Sequence, residues 1–128
     1  MVKKFQNLIL LTFLFFPANF QNKPVLQGNT DQTKKHKVIL IELGSDRCAP
    51  CLQMQPVLES IKKRFMDQVK LQLYDAYTKE GTEIAKKYKI EAIPTQVFLD
   101  SSGVEYYRHR GYFPEEEMIN ILNLKGVY

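Results

Sequence analysis

The 128-residue chain has no tryptophan, only two cysteines and only two histidines. It also lacks a long apolar run, a cluster of basic residues, an internal repeat and any low-complexity tract. Each shortage excludes something. Cys48 and Cys51 stand three apart, so a bridge between them would close too short a loop to staple a fold by constraining the unfolded chain. Redox chemistry is the better reason for the pair. His36 and His109 share no ligand spacing with each other or with the cysteines, and no metal site is expected. The apolar segment Leu8 to Phe16 is about half the ~20 residues that cross a bilayer as a helix, which disfavours an ordinary transmembrane anchor. The formal charge of +4 falls to +2 once residues 1–20 are set aside, leaving 16 bases against 14 acids. Phosphate backbones are bound by clustered Lys and Arg, and Lys34-Lys35-His36-Lys37 is a short run better read as a solvated approach to a strand. Nucleic acid is not an expected partner.

What is present suits one globular domain: 45% hydrophobic and 12% aromatic residues can furnish a buried core. The N-terminus has the build of an export signal. Met1-Val2-Lys3-Lys4 is basic, the apolar run follows, and Pro17-Ala18-Asn19-Phe20 breaks it. The expected organisation is a signal peptide at 1–20, a polar linker at 21–37 and a folded domain at 38–128. An uncleaved signal would tether the protein to a membrane through residues 8–16. A lipid-modified cysteine is excluded there, because no cysteine follows the run. The expected location is periplasmic or otherwise extracytoplasmic.

Within the domain, Val38-Ile39-Leu40-Ile41-Glu42-Leu43 is apolar and β-branched apart from one acid, as in a strand covered on both faces. Gly44-Ser45-Asp46-Arg47 is a turn, and Cys48 opens a helix. Val57, Leu58, Ile61 and Phe65 form one stripe on that helix, and Pro56 should kink it. Val69, Leu71 and Leu73 alternate with Lys70 and Gln72 in a second strand. Glu80 to Lys89 is a helix with Ile84, Ala85 and Tyr88 inward. Gln96 to Leu99 and Val104 to Arg110 form a hairpin about Asp100-Ser101-Ser102-Gly103. Pro114 and Glu115-Glu116-Glu117 open a last helix that ends near Leu124. The order is β-α-β-α-β-β-α.

From Val38 to Leu124 this pattern resembles the thioredoxin family. The resemblance rests on a Cys-x-x-Cys that follows a buried strand and opens a helix, Pro56 eight residues after Cys48, Ile93-Pro94-Thr95 before the hairpin, and Gly111 after it. It implies an α/β thioredoxin-like fold, a mixed central sheet flanked by helices, with the N-terminal strand–helix unit shortened. It also implies roles. Cys48 would be the exposed nucleophile and Cys51 the buried resolving thiol. Glu42 would stand where the family keeps a buried acid, with Lys70 as the candidate for the family's nearby lysine. Pro94 would be cis, Ile93 would offer its backbone to an extended substrate strand, and Gly111 would leave room for that strand. Three departures bear on the substrate surface: Asp46-Arg47 replace an aromatic approach, Ala49 a usual glycine, and Leu52 a common lysine.

The residue types suit the chemistry. Thiol–disulfide exchange needs a thiolate, and a helix N-terminus favours an anion at Cys48. One helical turn brings Cys51 within reach of a mixed disulfide on Cys48. A carboxyl on a buried strand, as at Glu42, has its pKa raised towards the range of a general base. The expected function is an exported oxidoreductase that reduces disulfides in extracytoplasmic client proteins. It would need no cofactor beyond its own Cys48–Cys51 disulfide, and would draw electrons from a membrane or periplasmic donor. Oxidising family members more often carry a histidine between the cysteines, where this chain has Ala49-Pro50. The alternatives are an oxidase or isomerase, or a non-catalytic metal carrier or docking module on the same fold. The chain has no length for a dimerisation domain, and a monomer is expected.

Overall fold

A computed structural model describes residues 36–128. The export signal, nearly all of the linker and the expected shortening of the N-terminal strand–helix unit lie outside the described residues. Seven elements follow in the order read from the sequence: β1 (Val38–Gly44), α1 (Ala49–Phe65), β2 (Val69–Asp75), α2 (Lys79–Tyr88), β3 (Thr95–Asp100), β4 (Glu105–Arg110) and α3 (Glu115–Asn123).

The sheet order is β2-β1-β3-β4. β1 runs parallel to β2 and antiparallel to β3, and β3 pairs antiparallel with β4. The sheet is therefore mixed, and its most apolar strands, β1 and β3, occupy the centre where both faces are covered. Alternation along β1 divides the core. Val38 and Leu40 face α1 and α3, packing with Met54, Ile61, Met118 and Leu122. Ile41 and Leu43 face α2, packing with Ile84, Ala85 and Ile90. Burial of such side chains is worth about 1.5–3 kcal/mol each, which ties both helical layers to one sheet.

Three local expectations change. β2 is an edge strand with its pattern broken at the end: Leu73, expected inward, is 58% exposed, while Tyr74 packs into the α2-side core. Pro114 stands at the N-cap position of α3 in an extended conformation rather than inside the first turn. α2 starts one residue earlier than expected, because Thr78 caps it by accepting the Gly81 N–H at 3.0 Å, and it stops as Lys89 turns left-handed at φ 53°. In α1, Pro56 lies inside the helix. It can give no N–H to the Leu52 carbonyl, and it faces solvent. Tyr106 and Tyr107 are half-buried and pack edge-on against Phe98.

Candidate active site

β1 ends at Gly44, and the chain turns through Ser45 to Arg47 into α1. Cys48 is the N-cap of that helix, and its Sγ accepts the Cys51 backbone N–H at 3.3 Å. Pro50 sits in the first turn, where a missing N–H costs nothing. The two cysteines form a disulfide, with Cα atoms 5.2 Å apart. They are not equivalent: Cys48 is half-exposed at the helix end, whereas Cys51 points inward and is 6% exposed. Asp46 and Arg47, opposite charges just before Cys48, face each other at 3.9 Å with both side chains largely exposed. Arg47 also lies over the Tyr77 ring. Charges so placed largely cancel and are screened by water, so the helix end dominates the field at Cys48.

Glu42 sits behind the pair. It is 5% exposed on the α1 face of β1, and burial pushes its carboxyl up from the usual range to about 8, a rise that the neighbouring Gln96 amide tempers. Its Oε1 borders the space over Gly44. A Cβ placed on Gly44 would lie 3.6 Å from Glu42 Oε1 and 3.6 Å from Cys51 Sγ, so both atoms border that space. A cleft of about 180 Å³ opens there to solvent, lined among others by Glu42, Gly44, Cys51, Gln55 and Leu73. Lys70 does not take part. The parallel register sets Lys70 beside Ile39 and puts Leu73 beside Glu42, so the candidate lysine lies three residues too early on β2.

The residues expected on the substrate side gather at the same end of the sheet. Leu43 pairs with Thr95, and Thr95 with Arg110, so Pro94 and Gly111 flank the end of β1 from which the cysteine turn departs. The Ile93–Pro94 peptide is cis, as the resemblance implied. Ile93 is half-buried, and its backbone finds no hydrogen-bond partner among the described residues. Gly111 has φ +92°, a conformation that favours glycine, and its N–H is donated to the Pro94 carbonyl at 2.8 Å. A Cβ there would meet nothing within 4 Å, so the space above Gly111 is open.

Among the described residues, no group of three or more His, Cys, Asp or Glu side chains is placed to hold a metal. His109 stacks on Phe113 with ring centroids 4.1 Å apart, and its Nε2 lies 3.0 Å from the Tyr112 carbonyl oxygen. Two participants escaped sequence reasoning. Gln96 is fully buried opposite Glu42, but it follows Thr95 at the polar start of β3 and so lacks the signal that exposed Glu42, a single polar residue inside an apolar strand. Gly44 carries no local signal, because its importance lies in what crosses over it.

Comparison with known proteins places this geometry in context. The thioredoxin family profile matches residues 21–123. Thioredoxin 1 of Synechococcus elongatus is 31% identical over 101 residues, covering 73% of this chain and 91% of that protein. The chloroplastic thioredoxin Y of Oryza sativa is 30% identical over 86 residues, or 67% of this chain, which spans about half (49%) of that relative's length. Among solved structures, the thioredoxin of Fasciola hepatica superposes with a TM-score of 0.62 at 27% identity, covering 73% of this chain and 85% of the other.

Proposed function

Because this chain belongs to the thioredoxin family of thiol–disulfide oxidoreductases, we propose that it is an exported disulfide reductase. In this reading Cys48 attacks, Cys51 resolves and Glu42 moves the proton. One observation carries it: a half-exposed sulfur at a helix N-cap is joined to a buried sulfur that shares an open gap with a buried carboxyl.

The steps follow from that asymmetry. In the reduced protein the Cys48 thiolate attacks one sulfur of a client disulfide. The client S–S bond breaks, and the displaced sulfur leaves with the electron pair and takes a proton from solvent. The client strand lies against Ile93, Pro94 and Gly111, where the unpaired backbone of Ile93 suits β-augmentation and the space above Gly111 is open. Cys51 then gives its proton to the Glu42 carboxylate and attacks Cys48 Sγ. The second client sulfur leaves with its electron pair and is protonated. Two electrons have passed to the client, and the Cys48–Cys51 bond has formed. With burial holding Glu42 near 8, the oxidised protein carries this carboxyl mostly protonated at neutral pH. It is then ready to protonate Cys51 when a donor thiol opens the disulfide.

Export is supported by the basic start, the apolar run Leu8 to Phe16 and the break at Pro17. The clients would be disulfide-bearing extracytoplasmic proteins, and the electrons would come from a membrane or periplasmic donor. The deciding experiment equilibrates the protein in graded thiol buffers and traps free thiols. A potential near −270 mV, about that of thioredoxin, supports a reductase; one near −120 mV, about that of a strong oxidant, reverses the direction. Fractionating cells that express the full chain tests the location, and recovery only in the cytoplasm overturns export.

A further inference from the structure

We propose that Gln96 is the positioning residue of the buried acid: its side-chain amide, held by the Gly111 carbonyl, orients the Glu42 carboxyl and supports its ionised form. The inference rests on the reading of Glu42 as the group that takes the Cys51 proton.

Gln96 lies on a central strand between Thr95 and Val97 and is 0% exposed. A buried primary amide is costly unless its donors and acceptor are used, so its presence in an apolar strand calls for partners. The antiparallel register places it directly opposite Glu42 on the same face of the sheet. Its Nε2 donates to the Gly111 carbonyl at 3.3 Å. A primary amide has a second N–H, and the Glu42 carboxyl is the neighbour it serves, which is why Gln96 holds the Glu42 pKa below what burial alone would set. Among the described residues, two buried side-chain oxygens remain without a partner, Glu42 Oε2 and Gln96 Oε1. They are complementary in a specific sense. A protonated Glu42 gains an O–H that needs an acceptor, and Gln96 Oε1 is a buried acceptor that needs a donor. The amide therefore has an answer to each protonation state: a donor for the carboxylate and an acceptor for the acid.

The other end of the amide is equally defined. Gly111 gives its N–H to the Pro94 carbonyl and receives the Gln96 amide on its own carbonyl. Gln96 thus joins the ledge where a client strand would pair to the acid that serves the resolving sulfur. Besides Glu42, the titratable residues lining the cleft are Cys51 of α1, here in its disulfide, and Tyr74 and Asp75 of β2, of which Tyr74 packs into the α2-side core; β3 lines it with none. On β4, His109 lies across from Gln96, stacked on Phe113. No Lys or Arg among the described residues lines the cleft. An uncharged donor is what remains to support a carboxylate there.

The test uses the full chain with Cys48 loaded as a mixed disulfide with 5-thio-2-nitrobenzoate, whose release by Cys51 is followed by absorbance from mildly acidic to mildly alkaline pH. Gln96→Met removes the amide at nearly constant length. The expected result is a release profile moved up by about one pH unit, or roughly tenfold slower release below the midpoint. The loading of Cys48 should stay within about twofold of the parent, since that step does not use the amide. Gln96→Asn keeps the amide but withdraws it by one methylene, and should give the same shift if Gln96→Met proves too unstable to study. Placed on Glu42→Gln, either change should add nothing to the pH dependence. A parental profile in a folded Gln96 variant overturns the proposal, as does an equal shift in the Glu42→Gln background. Should Glu42→Gln alone leave release and its pH dependence unchanged, the role of Glu42 itself fails, and that result is separate from either Gln96 outcome.

Discussion

Replacing Glu42 by glutamine should stabilise the oxidised protein, and the gain should grow with pH. The carboxyl titrates from an unfolded value of 4.5 to about 8 in the folded chain, because burial disfavours its charged form. A raised pKa means that the unfolded chain releases its proton first. Folding stability is therefore fully present below about pH 4.5, falls as pH rises through the interval, and levels off above about pH 8. Each unit of separation is worth about 1.4 kcal/mol. The parent should thus lose about 3 kcal/mol by pH 7, and about 5 kcal/mol in the alkaline limit, relative to a side chain that does not titrate. Glutamine keeps the shape, carries no charge and can donate an N–H to the unpartnered Gln96 Oε1. Against a total stability of about 5–15 kcal/mol for a small domain, the effect is large. Denaturant unfolding of oxidised parent and variant at several pH values measures it, with Cys51 kept out of the titration by its disulfide and the unfolding slope required to stay constant. The difference should be near zero at pH 4, about 3 kcal/mol at pH 7 and larger at pH 8.5. A difference independent of pH, or a loss of stability at pH 7, would refute the reasoning. It would mean that the carboxylate is satisfied inside the fold.

Two glycines give contrasting predictions. A methyl group at Gly44 would stand 3.5 Å from Cys51 Cβ and 3.6 Å from both Cys51 Sγ and Glu42 Oε1, which is ordinary contact. Gly44→Ala should therefore fold, with melting unchanged or raised by an amount equivalent to about 0.4–1 kcal/mol. It should slow mixed-disulfide release several-fold by taking solvent from between the acid and the sulfur; an unaltered rate would deny that gap a part in proton movement. At Gly81 a methyl group would stand 1.8 Å from the Asp75 carbonyl oxygen. Gly81→Ala should cost about 3 kcal/mol or more in denaturant unfolding, because backbone must move where α2 leaves β2. An unchanged midpoint would show that this junction yields freely.

Much of the molecule is legible in its sequence because the signals are local. A β-branched run makes β1, a three- and four-residue stripe makes α1, acids at the start make α3, and a Cys-x-x-Cys at a helix opening carries the chemistry. Glu42 is legible for the same reason, since a lone acid in an apolar strand must either reach solvent or be buried at a cost. Which of these happens is a tertiary matter, and it is burial under α1 that moves its titration. The register of β1 on β2 puts Lys70 out of reach and Leu73 at the mouth of the cleft, and nothing in the alternation of β2 announces that slip. The register of β1 on β3 sets Gln96 against Glu42, and the approach of α1 turns Gly44 into the gap between acid and sulfur. Periodicity and caps act between residues a few positions apart, so they are written along the chain. Register, burial and shared empty space arise between residues brought together from distant parts of it, and those only the folded structure decided.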